Sequence, residues 1–219
     1  MLKSLQIMQF CLQTGFGKST QTYGGSEDNP LAGAGQGNGG APPSFTALST
    51  LVVNAYKRLG HGATLTSSLM ARIYLLASVL YVDDGDWLHT ADEPTTSDED
   101  MLKKVQLATT DFGQLAQATG GALKQEKCSA YFLLYRFPSG VPRLKSVSEF
   151  PAPIAEVTRK DGTTAPAHIT VPQPNGNELP IDTLDVSTPA KLLGVYFRPG
   201  GDSEPHISEM RNKGLDWVD

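Results

Sequence analysis

The sequence predicts an α+β fold: an antiparallel sheet with packed helices, followed by a β-rich C-terminal appendage. Three observations carry this. Two stretches, from Pro43 and from Ser97, repeat apolar residues at three- and four-residue spacing, the period of a helix buried on one side. Between them the apolar run Ile73–Val82 ends in Asp83-Asp84-Gly85, a strand closed by a turn. After Phe150 the chain becomes rich in Pro and Thr and carries two hairpin turns, Lys160-Asp161-Gly162 and Asn175-Gly176.

In chain order, residues 1–22 read as the end of a helix and a loop, since Leu2, Leu5, Met8 and Leu12 form an apolar pattern. That pattern starts at Met1 with no cap or lead-in, and predicts further sequence upstream. Tyr23 to Pro43 is a loop crowded with Gly, Asn and Pro. Phe45, Leu48, Leu51, Val52, Ala55 and Leu59 then mark the buried stripe of a helix, which Pro43 opens and Gly60 ends. Ile73–Val82 reads as one buried strand, with Asp86–Thr90 returning. Ser97 and Asp100 form the start of a second helix, whose stripe is Leu102, Val105, Ala108, Phe112, Leu115 and Ala116 and whose stop is Gly120-Gly121. Lys127–Phe137 and Lys191–Phe197 are strand candidates, and His206–Val218 begins a last helix. The expected divisions are 1–149 for the main domain, 150–190 for a hairpin-rich insertion and 191–219 for a closing strand and helix.

Composition narrows the class. A chain of 219 residues with 39% hydrophobic residues can bury a core. Cys11 and Cys128 lie far apart and form no metal or redox spacing, as expected of free thiols in a reducing compartment. Leu5–Leu12 is too short for a secretory signal, and Leu69–Val82 is too short to span a bilayer and contains Arg72. These features predict an intracellular protein with no membrane partner. The net charge of -5 disfavours a nucleic-acid surface, but its distribution does not. Asp83–Asp100 contains no Lys or Arg, whereas Met101–Val147 carries seven basic residues against Asp111 and Glu126. Metal ligands beside a backbone-binding surface, or two solvated faces of opposite sign, both fit this.

Tyr81-Val82-Asp83-Asp84 is the sharpest motif. Adjacent carboxylates at a hairpin tip repel unless a cation neutralises them. Hard divalent ions take oxygen ligands, and a pair of them can clamp both oxygens of a phosphoryl transfer. An ordinary exposed Asp-Asp-Gly turn is the alternative. Around the motif stand Gly35-Gln36-Gly37 before the first helix, Gly120-Gly121-Ala122-Leu123-Lys124 with Lys127-Cys128 after the second, and Leu193-Gly194 in the late strand.

This ordered series, from about Gly33 to Phe197, resembles the palm of reverse transcriptases, especially those of retroelements. The resemblance implies a palm-like sheet and RNA-directed DNA synthesis by two-metal nucleotidyl transfer. It implies Mg²⁺, with Mn²⁺ as substitute, held by Asp83 and Asp84, and an RNA or DNA template-primer and dNTPs as partners. Tyr81 and Val82 then form the floor beneath the primer end, and Gln36 and Gly37 the loop near the incoming nucleotide. Lys127, or else Lys124, matches a lysine that protonates pyrophosphate, although both also read as surface charges. The last stretch, 191–219, would be the closing strand and a thumb-like helix. One departure matters. The family's first catalytic aspartate precedes the Gln-Gly loop on a strand, and the only acids before Gln36 here are Glu27 and Asp28, in a loop. An inactive fragment, or a site completed by an upstream segment or a second chain, is the expectation.

A rival motif is Thr14-Gly15-Phe16-Gly17-Lys18-Ser19-Thr20, close to the phosphate-binding loop of ATPases. Such a loop must open a helix, and the residues after Lys18 lead instead into Gly24-Gly25 and a Gly- and Pro-rich loop. A non-catalytic nucleic-acid-binding or assembly remnant is the third class.

Overall fold

The structure is a computed structural model that describes residues 7, 9–14, 17–28, 41–67, 69, 72–81, 84–192, 195–200 and 202–216. Helices and short, mostly antiparallel sheets are both present, so the fold is α+β. The chain forms two compact units. One comprises Met1–His89 with Ala118–Gly120, the other Thr90–Gln117 with Gly121–Asp219. The division between the units falls at residues 89 and 90, apart from Ala118–Gly120.

The first unit opens with an antiparallel hairpin of β1 (Gln9–Thr14) and β2 (Gly17–Gly24), bulged between Cys11 and Gln13. This replaces the expected helix end and loop. Thr14, Thr20, Thr22 and Tyr23 favour strands, and Gly17 supplies the positive φ (124°) that the connection needs. Of the apolar pattern that suggested a helix, only Leu12 falls within the described residues.

Helix α1 (Ala41–Arg58) starts at Pro42 and Pro43 and stops before Gly60, whose φ is 87°. Its packed face is not the expected stripe. Tyr56 is buried, while Phe45, Leu48, Leu51 and Leu59 are exposed. The run Ile73–Val82 is also not one buried strand. It breaks at buried Ala77, and each half joins a different hairpin. Strand β3 (Ala63–Thr66) pairs with β4 (Ile73–Leu76), all four residues of which are exposed. Strand β5 (Ser78–Tyr81) pairs with β6 (Asp84–Trp87). The Ala77 carbonyl accepts the Leu88 N–H at 3.0 Å, which fastens the break. A continuous apolar run has no period that separates one strand from two.

In the second unit, α2 (Asp98–Ala118) begins as its sequence requires. The Asp100 N–H donates to Ser97 Oγ at 3.1 Å, and the Ser97 hydroxyl donates to Asp100 Oδ2 at 2.8 Å. Beyond it come β7 (Ser129–Tyr131), β8 (Tyr135–Arg136), β9 (Arg143–Leu144), β10 (Ala155–Thr158), β11 (Thr164–Ala167), β12 (Ile169–Pro172) and β13 (Glu178–Leu184). The hairpin β14 (Ala190–Leu192) with β15 (Val195–Phe197) and helix α3 (Glu204–Asp216) follow. Both turn signals sit at hairpin connections, β10–β11 and β12–β13, with Gly162 and Gly176 near φ 83° and 82°.

The central sheet has the order β12-β13-β7, with β7 parallel to β13. Its core is Phe132, Ile169, Val171 and Ile181, against which Leu102, Val105, Leu123 and Phe150 pack. Three of those four buried residues come from the stretch expected to be an appendage. Polar side chains secure the edge of β12. Gln106 Nε2 donates to the Thr170 carbonyl at 3.3 Å, the Thr170 N–H donates to Gln106 Oε1 at 2.7 Å, and Gln117 reaches the Pro172 carbonyl. Cys11 and Cys128 are both free thiols.

Candidate functional site

The β5–β6 hairpin carries the paired-acid motif. Ser78 lies opposite Trp87, Val79 opposite Asp86, Leu80 opposite Gly85 and Tyr81 opposite Asp84. Asp84 and Gly85 are therefore strand residues rather than turn residues. Val82 and Asp83 lie outside the described residues, as does the side chain of Tyr81.

Strand alternation puts Asp84 and Asp86 on one face, with Val79 and Tyr81 as their cross-strand partners. Asp84 is exposed and Asp86 half-buried. Burial first, and the Asp84 charge second, push the Asp86 carboxyl above its ordinary pKa. Trp87, at the base of the hairpin, meets Tyr56 of α1 edge-on at 4.7 Å between ring centroids. Tyr56 in turn stacks obliquely on buried His61 at 4.7 Å, and its hydroxyl lies 2.9 Å from His89 Nε2. An aromatic cluster thus packs at the base of the strand that presents Asp84 and Asp86.

The hard oxygen donors fit a divalent cation, which would relieve the repulsion that raises Asp86. Among the described residues no three His, Cys, Asp or Glu side chains converge on a metal position, and Asp83 is not among those residues. Asp86 was missed in the sequence. Its signal was the Asp-x-Asp spacing after the turn, which only a strand register converts into a shared face.

Gln36, Gly37 and Leu193-Gly194 lie outside the described residues. Lys127 is exposed at the end of a 3₁₀ turn, Gln125–Lys127, in the second unit, and its N–H donates to the Lys124 carbonyl at 2.8 Å. Lys124 pairs with Glu126 at 3.2 Å. Gly120, with φ 83°, ends α2, and the Gly121 N–H closes on the Ala116 carbonyl at 3.0 Å.

The rival phosphate-loop motif does not open a helix. Lys18, Ser19 and Thr20 are residues of strand β2, and Lys18 faces Gln13 across the ladder. The next helix among the described residues starts at Ala41. Among the described residues of the motif, none lies at a helix N-terminus, where stacked backbone N–H groups cradle phosphates.

No helix among the described residues is long and apolar enough to cross a membrane. No family model, curated protein or solved structure matches the chain.

Proposed function

We propose that the chain is a reverse-transcriptase-like palm fragment, built for RNA-directed DNA synthesis by two-metal nucleotidyl transfer and incomplete by itself. The observation that carries this reading is the β5–β6 hairpin. Its register sets Asp84 opposite Tyr81 at the end of the apolar strand, with Asp83 next to Asp84 in the sequence. The ordered motifs around it, from Gly35-Gln36-Gly37 to Leu193-Gly194, support the same reading. Asp83 and Asp84 would hold Mg²⁺ or Mn²⁺, with Asp86 on the same face as Asp84. A bound ion there supplies charge neutralisation for a phosphoryl group passing between oxygens. The chain's own part is to aim the carboxylates from a strand locked at its base by Trp87 and Tyr56.

Glu27 and Asp28, exposed in a bend, are the only acids before Gln36, and neither stands on a strand. The site is accordingly short of a carboxylate. Titration of the full chain with Mn²⁺, followed by paramagnetic resonance, should reveal a weak site that Asp83→Asn and Asp84→Asn each abolish. Primer extension with Mg²⁺ and dNTPs should give no template-copied product. Mn²⁺ binding that ignores both substitutions would reduce the motif to an ordinary turn. Copious templated product would overturn the incomplete site.

A further inference from the structure

Two hairpin tips of the second unit share one geometry. At the β10–β11 tip the Arg159 N–H donates to the Thr163 carbonyl at 2.8 Å, and the Gly162 N–H donates to the Arg159 carbonyl at 3.0 Å. At the β12–β13 tip the Gln173 N–H donates to the Asn177 carbonyl at 2.8 Å, and the Gly176 N–H donates to the Gln173 carbonyl at 3.0 Å. Asp161 Oδ1 accepts the Thr163 N–H at 2.9 Å, and Asn175 Oδ1 accepts the Asn177 N–H at 3.0 Å. Gly162 and Gly176 follow at φ 83° and 82°. One turn thus carries Asp where the other carries Asn.

Asn before Gly is a labile pair, because glycine has no Cβ to crowd its nitrogen. When the Gly176 nitrogen closes on Asn175 Cγ, a C–N bond forms and the Cγ–Nδ2 bond breaks. The amide proton leaves with Nδ2 as ammonia. Water then opens the cyclic imide. Opening at Cγ leaves aspartate in an ordinary chain, and opening at the backbone carbonyl leaves isoaspartate, with a main chain one atom longer. Residues 174–179 are exposed, so water reaches the tip. The native turn opposes the first step. The nitrogen attacks only as it gives up its proton, and the bond to Gln173 holds that proton. Asp161 is protected differently. An ionised carboxylate does not take up an amide nitrogen, and the Thr163 hydroxyl and N–H bonds hold the Asp161 carboxyl below its ordinary pKa.

We propose that Asn175 is a deamidation site gated by its own turn, closed while the Gly176 N–H is bonded to Gln173 and reactive when the β12–β13 tip opens. Such an opening is local, since it breaks only a few exposed bonds. Asp161 shows that this turn accepts a carboxylate, so the aspartate product keeps the fold. Isoaspartate lengthens the chain between Gln173 and Asn177 and breaks their bond. The proposal uses no residue of the β5–β6 hairpin. Peptide mass spectrometry of the full chain, incubated at pH 8 in buffer and in urea, tests it. Asn38-Gly39, the chain's other Asn-Gly pair, lies outside the described residues and is the reference in urea. Asn175 should convert in urea with release of ammonia, and at least about tenfold more slowly in buffer. Asp161 should form no isoaspartate in buffer. Pro174→Gly, which frees φ at the tip, should raise the rate in buffer and leave the rate in urea unchanged. Asn175→Asp should keep the parent's urea midpoint. Conversion of Asn38 in urea without conversion of Asn175 would overturn the site. Equal rates in buffer and urea, or a buffer rate indifferent to Pro174→Gly, would overturn the gate. A midpoint lowered by Asn175→Asp would refute the likeness to the Asp161 turn.

Discussion

A Cβ on Gly113 would stand 2.3 Å from Pro172 Cγ and 2.8 Å from Pro172 Cδ. The proline ring cannot swing aside as a flexible side chain would. Alanine gains about 1 kcal/mol over glycine in a helix interior, but overpacking a tight contact costs about 1–3 kcal/mol. Gly113→Ala should therefore lower stability by up to about 2 kcal/mol, seen as a reduced urea midpoint. A second residue makes stability depend on pH. Buried His168 receives the Thr183 hydroxyl at Nδ1 (3.0 Å) and donates from Nε2 to the Pro151 carbonyl (3.1 Å), the pattern of a neutral ring. Burial lowers its pKa, against a smaller opposing effect of the Pro151 bond. Above about pH 6.5 both folded and unfolded chains keep the ring neutral. As pH falls below that value the unfolded chain takes the proton first, so stability falls until the folded ring also titrates. Urea midpoints from pH 8 to 5 should show this decline, and His168→Asn should flatten it while lowering stability throughout. Neither residue could be singled out from sequence. Gly113 interrupts an otherwise regular helix, and His168 is one of four histidines without ligand spacing. Their importance comes from partners, Pro172 and Pro151, far along the chain.

Elements with local signals were legible. Ser97 and Asp100 set the start of α2, and the turns at Gly162 and Gly176 set two hairpins, because caps and tight turns are decided within a few residues. Elements that depend on distant partners were not. The stripe from Phe45 to Leu59 has helical spacing, yet the buried residue of α1 is Tyr56, chosen by Trp87 and His61. At the candidate site, the hairpin that follows the apolar run was legible, as the pairing of Ser78–Tyr81 with Asp84–Trp87 shows. The shared face of Asp84 and Asp86 was not, because it depends on where the turn ends. The stretch 150–190 gives the sharpest test at this scale. It supplies Ile169, Val171 and Ile181 to the core, and each of the two isoleucines is worth about 2–5 kcal/mol when truncated to alanine. Their sum rivals the roughly 5–15 kcal/mol that holds a whole domain folded. Deleting residues 150–190 should abolish cooperative unfolding of the second unit and open it to limited proteolysis, whereas loss of a mere appendage would leave it intact.

At the scale of the whole molecule, composition indicated a chain able to fold, but it did not place the division between the units. That division is set by which strands find each other. The bond between β7 and β13 is the extreme case. Ser129 lies beside Asp182 and Tyr131 beside Leu184, in parallel. Parallel neighbours require a long crossover, and here it includes the β8–β9 and β10–β11 hairpins and β12. During translation, β7 leaves the ribosome with its sheet partner still unmade. The second unit cannot close its sheet until Leu184 has emerged, so every nascent chain shorter than that carries an open edge at Ser129–Tyr131.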